Sequence, residues 1–293
     1  MQDDFQIVGA RPRPPQPVRR APWYRGKPLA ALAFLTLLVL GCLLMPLLRP
    51  GEAGYMNLAR CSAAPCREFP FGTDAMGRDI FAMIWSGGRV SLAIGFLATA
   101  VSGFLAIVIG SLSGLLGGRA DRLLMRAAEL LLSIPELLLI LLLQAILGQA
   151  SVWSLSLVIG VTSWAGIAKV VRTEVRRLRT SEYVLAARCM GGGFFHVLFR
   201  HLTPNFLPSI LFMLVMNVRS AMLSESTLSF LGLGLPLEVV SWGSMLSLAQ
   251  QALLTDSWWS IVIPGAFLAV TLLCVTEAGN AIQKGRGHEV RRF

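Results

Sequence analysis

Charged side chains are scarce in this sequence of 293 residues. Only 14% of the residues are Asp, Glu, Lys or Arg, whereas soluble domains average about 25%. Hydrophobic residues make up 55%, and the mean hydropathy is +0.65. A water-soluble protein of this size would lack the polar side chains that cover its surface, so the composition argues against a soluble enzyme. It also excludes a disordered chain, because such chains are poor in apolar residues.

The residues that usually carry catalysis are also missing. No Gly-x-x-x-x-Gly-Lys-Ser/Thr loop is present to hold the phosphates of ATP. The three histidines, His196, His201 and His288, do not pair with cysteine at a metal-ligand spacing. We therefore expect no enzymatic activity, no metal site and no cofactor bound by this chain.

Six apolar stretches dominate what is present. Each is near the roughly 20 residues that a helix needs to cross a bilayer, so the sequence predicts an all-α membrane protein with six transmembrane helices. The third stretch begins near Asp121, a possible N-cap, and contains Pro135, which predicts a kink. The predicted spans are 29–48, 90–118, 121–147, 152–171, 206–231 and 257–276.

The basic residues are distributed unevenly around these spans. Twenty of the 26 Lys and Arg residues fall on the side of the N-terminus and five on the other side. Under the positive-inside rule this bias predicts that both termini are cytoplasmic, and it explains the net charge of +10 without nucleic acid. The Pro- and Arg-rich segment 1–28 is predicted to be disordered. Residues 29–283 form the membrane domain, with an outer loop at 49–89, an inner loop at 172–204 and a cytoplasmic tail at 284–293.

The inner loop contains two short amphipathic helices. The first follows Thr180-Ser181 and places Tyr183, Ala187 and Met190 on one face, with the small Ala186 beside them. Gly191 to Gly193 end this helix. The second runs from Phe194 to about Leu202, presents Phe195, Leu198 and Leu202 on one side, and stops at Pro204. Their apolar faces need a cover, which is either the protein's own spans, the lipid interface or another subunit.

Two charges lie inside the fifth span, and two cysteines lie in the outer loop. Arg219 and Glu225 are candidates for a translocation path because intramembrane charges usually face a cavity or a partner. They lie about 120° apart around the helix axis, so we expect Glu225 near the cavity and Arg219 against a neighbouring helix or subunit. Cys61 and Cys66 are predicted to form a disulfide in an oxidising compartment; two free thiols are the alternative.

The stretch Glu182-Tyr-Val-Leu-Ala-Ala-Arg-Cys-Met-Gly191, followed by Thr203-Pro204, resembles the EAA loop of binding-protein-dependent ABC importer permeases. The core of that motif corresponds to Leu185-Ala186-Ala187 and then Gly191. Two further regions resemble the second (C-type) permease of the dipeptide, oligopeptide and nickel branch. They are 71–79 with 88–92 after it, and 228–234 followed by 241–246. The sequence departs from the family pattern at Leu185, where the motif has glutamate, and at Gly279-Asn280.

The resemblance implies a six-helix permease of the type I ABC importer fold in the bacterial inner membrane. It implies a second permease subunit as a heterodimer partner, two ATPase subunits that carry ATP and Mg, and an extracytoplasmic solute-binding protein. The ATPases would dock on Glu182, Tyr183, Ala186, Ala187, Gly191 and Pro204. Asp74, Arg78 and Asp79 would contact the binding protein, or else form a salt bridge that braces the outer loop.

Several cargoes and two other functions remain open from the sequence. Peptides, nickel, metal chelates and glutathione-like molecules are all compatible with the resemblance. A membrane scaffold or assembly protein is one alternative, although it would not need a coupling loop. A self-sufficient secondary transporter is another, although it should carry more intramembrane acids than Glu136 and Glu225.

Overall fold

The computed structural model describes residues 29–48, 54–193, 196–236, 238–250 and 257–290. Within those ranges the chain is helical, and the only β-pairing is an isolated bridge between Thr73 and Asp79. The all-α prediction is confirmed. In chain order the helices are α1 Leu29–Leu48, α2 Ile80–Leu116, α3 Gly118–Ser133, α4 Glu136–Leu147, α5 Val152–Leu178, α6 Glu182–Cys189, α7 Thr203–Phe230, α8 Trp242–Ala249 and α9 Trp259–Val290.

Five stretches of helix in the described ranges are long and apolar enough to cross a membrane. They are α1, α2, α5, α7 together with the helical turn before it, and α9. A sixth crossing results if α3 and α4, which are bent by 96° at a short break, count as one span. The six-span prediction therefore agrees with the structure only when this bent pair is counted as a single crossing.

The predicted bend at Pro135 is present, but the prediction of one helix over 121–147 is wrong. Helix α3 ends at Ser133, Ile134 has extended dihedral angles (φ −96°, ψ 133°), and α4 begins at Glu136. Pro135 explains the break because it has no N–H to donate and disfavours helical geometry for the residue before it. The predicted N-cap role of Asp121 is also wrong, since this residue lies inside the first turn of α3.

Other helices extend beyond the apolar stretches from which they were predicted. Helix α2 begins at Ile80 because the side chain of Asp79 caps it, accepting a hydrogen bond from the backbone N–H of Phe81 at 2.9 Å. The outer loop therefore ends at Asp79 rather than at residue 89. Helix α5 continues to Leu178, and α9 continues to Val290 in the predicted tail. Hydropathy does not detect the added ends of α5 and α9 because they are polar.

Helices α2 and α5 pack closely along a row of glycines. A β-carbon at Gly110 would lie 2.6 Å from the carbonyl oxygen of Ala168, and one at Gly160 would lie 2.8 Å from the carbonyl oxygen of Ala98. Any side chain at these positions would push the two backbones apart. Small residues are favoured at membrane helix contacts because lipid gives no hydrophobic drive for association, so close van der Waals packing supplies the stability.

Some predicted features lie outside the described residues. These are the N-terminal segment 1–28, the segment 49–53 of the outer loop, residues 194 and 195 of the second short helix, and the end of the tail at 291–293.

Candidate functional site

Helix α6 is anchored to the rest of the protein by one face. Val184 and Ala187, one turn apart, are buried in an apolar cluster that includes Val171 and Val175 of α5 and Phe206 of α7. The prediction that Ala187 shares a face with Tyr183 and Met190 is therefore wrong. Ala187 faces inward because, with Val184, it supplies the apolar side that packs against the protein's own helices.

The opposite face of α6 is uncovered. The exposed fraction is 40% for Tyr183, 49% for Leu185 and 82% for Met190. Ala186 and Glu182 are exposed as well. This surface of mainly apolar side chains is held in place by the buried face behind it. We call it the α6 surface, comprising Glu182, Tyr183, Leu185, Ala186 and Met190.

Gly191 ends α6 in a conformation that favours glycine. Its φ is +85°, and the next backbone N–H, that of Gly192, donates to the carbonyl oxygen of Ala187 at 2.9 Å. This closure is a common helix C-terminus. A β-carbon on Gly191 would meet nothing within 4 Å. Within this chain Gly191 is therefore required by its backbone angle and not by a close contact.

The second short helix does not stop at Pro204, contrary to the prediction. A π-helical turn at Val197–Leu202 runs directly into α7, which begins at Thr203. Pro204 lies in the first turn of α7, where a missing N–H removes no hydrogen bond from the α-helix. Val197, Leu198 and Leu202 are buried. The π-helical turn thus continues into a membrane-spanning helix without an intervening loop.

A buried carboxylate joins three helices at the same end of the molecule. Asp121 of α3 accepts hydrogen bonds from Arg172 of α5 at 2.5 and 2.7 Å, and from Arg176 at 2.5 Å. The hydroxyl group of Ser113 of α2 also donates to it. The basic residues at the end of α5 therefore bind α3 as well as marking the side of the membrane. No local sequence signal marks this cluster, because its members are far apart in the chain.

Glu225 does not line an open path, contrary to the expectation. Its side chain is fully buried between α2, α7 and α8, with an exposed fraction of 0%. Four serine hydroxyl groups donate to its carboxylate and replace water as its solvation shell. The distances are 3.2 Å from Ser91, 3.3 Å from Ser226, 3.0 Å from Ser229 and 2.7 Å from Ser241. Arg219, by contrast, is exposed on α7.

The motifs of the resemblance meet around this carboxylate. Trp242 is buried, and its indole N–H donates to the carbonyl oxygen of Ile84 at 3.0 Å. A β-carbon at Gly243 would lie 2.6 Å from the α-carbon of Ser226, and one at Gly88 would lie 2.6 Å from the ring of Trp242. Sequence reasoning missed the serines, although Ser229 stands one helical turn after Glu225 and so offered a signal.

The outer-loop charges brace the loop. Asp74 and Arg78 are buried, and their side chains form an ion pair at 2.7 Å. Asp74 also accepts hydrogen bonds from the backbone N–H groups of Met76 and Arg78. The expected binding-protein contact is therefore wrong for Asp74 and Arg78, because buried side chains cannot meet another protein, and the bracing alternative holds. Asp79 caps α2, as described above.

The structure also differs from the predicted disulfide. Cys61 and Cys66 are exposed and free. The thiol of Cys61 donates to the carbonyl oxygen of Leu58 at 3.2 Å, and the sulfur of Cys66 accepts from the backbone N–H of Phe69 at 3.4 Å. Each sulfur is thus turned toward its own backbone neighbour. Within the described ranges, no three His, Cys, Asp or Glu side chains form a group that can hold a metal ion.

The fold is that of an ABC transporter permease. A solved structure of the methionine ABC transporter MetNI in inward-facing conformations matches with a TM-score of 0.55 at 16% identity, covering 69% of this chain and 95% of that chain. Residues 106–286 match the family described as binding-protein-dependent transport system inner membrane component. The chain belongs to this family and is therefore a multi-pass protein of the inner membrane.

Curated relatives align over most of the chain. The dipeptide transport system permease protein DppC of Bacillus subtilis is 31% identical over 264 residues, which is 90% of this chain and 82% of that protein. The oligopeptide transport system permease protein OppC of Escherichia coli K12 is 35% identical over 270 residues, which is 92% and 89% of the two chains. A putative peptide permease protein of Brucella suis is 35% identical over 253 residues, which is 86% and 83%.

Proposed function

We propose that this chain is the permease subunit of an ATP-driven peptide importer. A second permease subunit completes the translocation path, two ATPase subunits dock on the cytoplasmic side, and a solute-binding protein delivers the cargo on the other side. ATP and Mg are bound by the ATPase subunits. The names of the dipeptide and oligopeptide permease relatives favour a peptide. They give no support to nickel or metal-chelate cargo.

The α6 surface carries this proposal. It exposes apolar side chains on a helix whose other face is buried against α5 and α7. A helix held in this way can receive a partner and pass its movement to the spans as a rigid body. Closure of the ATPases on ATP binding would then move α6, the π-helical turn and α7 together. Val184 and Ala187 of α6 share a buried cluster with the turn and with Phe206 of α7, and the turn continues directly into α7.

The proposed orientation places the α6 surface and both termini in the cytoplasm. Twenty of the 26 basic residues lie on that side of the spans, against five on the other. The Asp121 cluster and the end of α5 lie on the same cytoplasmic side in this arrangement. The opposite end, with the braced outer loop, faces the solute-binding protein.

The docking proposal is tested with Gly191→Trp in the complete transporter. The substitution adds a large ring beside the α6 surface, where nothing within 4 Å would hold it inside this chain. We expect the affinity-purified permease to lose the ATPase subunits, and cells to lose peptide uptake, because a bulky group at a close-packed interface is poorly tolerated. Ala186→Trp should act in the same way without changing a glycine.

Gly148→Trp is the matched control. Gly148 has φ +82°, close to the +85° of Gly191, and a β-carbon there also meets nothing within 4 Å. The two variants therefore carry the same backbone strain, but Gly148 lies at the other end of the spans. Normal ATPase retention and uptake in both Gly191→Trp and Ala186→Trp would contradict docking at α6, and would favour the scaffold or secondary-transporter alternatives.

A further inference from the structure

A cavity of about 460 Å³ lies beside the break between α3 and α4. The break itself forms one wall, from Ser133 to Glu136, and Thr162 and Ser163 of α5 form another. Asn217 of α7 completes the lining used in this argument. Thr162 and Asn217 both lie near the middle of helices that cross the membrane. The cavity is therefore at membrane depth, and it belongs to neither the α6 surface nor the Glu225 cluster.

Glu136 is the acidic residue of this lining. It is half-buried, and the described part of the chain provides no ion pair or hydrogen bond to its carboxylate. A carboxylate at membrane depth is costly unless a cation or hydrogen-bond donors meet it. Glu225, another acid within the spans, receives hydrogen bonds from four serine hydroxyl groups. Glu136 thus lacks the solvation that the fold supplies to Glu225.

The hydroxyl groups of Thr162 and Ser163, which line the cavity, already donate their protons to backbone carbonyl oxygens. Thr162 donates to the carbonyl oxygens of Val158 and Ile159, at 3.1 and 3.0 Å. Ser163 donates to the carbonyl oxygen of Ile159 at 2.8 Å. A hydroxyl group has one proton and two lone pairs. Both side chains therefore offer acceptors to anything inside the cavity.

Asn217 follows the same pattern. Its amide nitrogen donates to the hydroxyl oxygen of Ser102 at 2.6 Å and to that of Thr99 at 3.3 Å. An amide nitrogen has two protons, so these two bonds use both. The amide oxygen is the part of the group that remains available as an acceptor. The polar groups of the cavity wall are thus matched to a ligand that donates hydrogen bonds.

The charge of the cavity also favours a cation. Its lining contains neither Lys nor Arg. Arg219 lies two residues beyond Asn217 on α7, which places it about 200° away around the helix axis. The N-terminus of α4 contributes about half a positive charge, which offsets only part of the full negative charge on Glu136.

We propose that this cavity is a cation subsite in which Glu136 receives an ammonium group of the peptide during transport. This inference rests on the proposed function. An ammonium group has three N–H donors and no acceptor, so the carboxylate and the neighbouring oxygens satisfy it. Every peptide with a free amino terminus carries this group, which makes the subsite independent of the cargo's side chains. A basic residue of the partner permease is the competing occupant.

The first test measures the charge of the cavity in the assembled transporter. In a background without the native cysteines, Ser163→Cys is labelled with a cationic and with an anionic methanethiosulfonate reagent. We expect Glu136→Gln to lower the cationic-to-anionic rate ratio by about a hundredfold. One unit charge at about 10 Å and an effective dielectric constant of about 20 changes each rate by about tenfold, in opposite directions for the two reagents. Glu129→Gln, which removes an exposed acid outside the cavity lining, should leave the ratio unchanged.

The second test measures peptide uptake at equal levels of assembled transporter. Glu136→Gln should reduce the maximal uptake rate about tenfold, and Glu136→Asp, which keeps the charge, should restore most of it. An unchanged labelling ratio, or normal uptake by Glu136→Gln, overturns the subsite. A labelling ratio in the transporter with Glu136 intact that is no higher than that of a free thiol also overturns it, because that is the result expected if a basic partner residue already neutralises Glu136. If the unmodified transporter imports no peptide, the proposed function fails separately, and the labelling ratio alone decides whether the cavity selects cations.

Discussion

Ser241→Ala should destabilise the protein more than the loss of an ordinary helix cap. The Ser241 hydroxyl group has two roles, because it accepts from the backbone N–H of Ser244 at 3.0 Å and donates to Glu225 at 2.7 Å. Losing an N-cap costs about 1 kcal/mol. Losing a hydrogen bond to a charged group costs about 1.5–3 kcal/mol. We therefore expect the free energy of unfolding to fall by about 2.5–4 kcal/mol.

Ser151→Ala is the matched control for this prediction. Ser151 forms the same capping box at the start of α5, accepting from the backbone N–H of Ser154 at 3.1 Å, but it is exposed and bonds no carboxylate. Its loss should cost about 1 kcal/mol. One kcal/mol corresponds to about 2–4 °C in a large domain. The melting temperature of the purified transporter should therefore fall by about 5–16 °C for Ser241→Ala and about 2–4 °C for Ser151→Ala.

A second comparison isolates the bond between Ser241 and Glu225. In a Glu225→Gln background, the additional loss caused by Ser241→Ala should shrink, because two residues in contact do not contribute additively. Equal melting temperatures for Ser241→Ala and Ser151→Ala would refute the reasoning. So would a loss from Ser241→Ala that is the same with and without the carboxylate.

Two further predictions concern the cytoplasmic side. Asp121→Asn should lower the free energy of unfolding by about 1–3 kcal/mol, since it leaves two partly exposed arginines without their carboxylate. Glu129→Gln removes one member of a solvent-exposed pair and should leave the melting temperature within about 1 °C. Similar losses in both variants would contradict the role of the Asp121 cluster. In intact cells and a cysteine-free background, an impermeant maleimide should label Gly148→Cys but not Gln283→Cys, and labelling of Gln283→Cys would contradict cytoplasmic termini.

Local sequence patterns predicted the helical class and most of the spans, because long apolar runs have one stable form in a bilayer. They did not predict which way a charged side chain faces within a span. Glu225 is buried and Arg219 is exposed, although the sequence favoured Glu225 as the one near the cavity. The rotation of α7 about its axis is set by its contacts with α2 and α8. The sequence of α7 alone does not indicate those contacts.

Contacts between segments that are distant in the chain could not be predicted from the sequence either. Asp121 and Arg172 are 51 residues apart, so neither helical periodicity nor spacing connects them. The resemblance did include the segments around Gly88 and Trp242. The structure explains why both segments belong to the motif, because the two residues pack closely against each other. The angle at Pro135 was underestimated because a proline predicts that a helix is disturbed but not by how much.

The length of α4 has a consequence for the lipid around this chain. Its 12 residues span about 18 Å, against about 30 Å for the hydrocarbon core of a bilayer. The Ile134–Pro135 joint and α3 together supply the remaining about 12 Å. The backbone of the joint is not helical, and such backbone is tolerated at this depth only against protein or water. Acyl chains are therefore excluded from the joint, and the bilayer is replaced there by a hydrated seam or a second subunit.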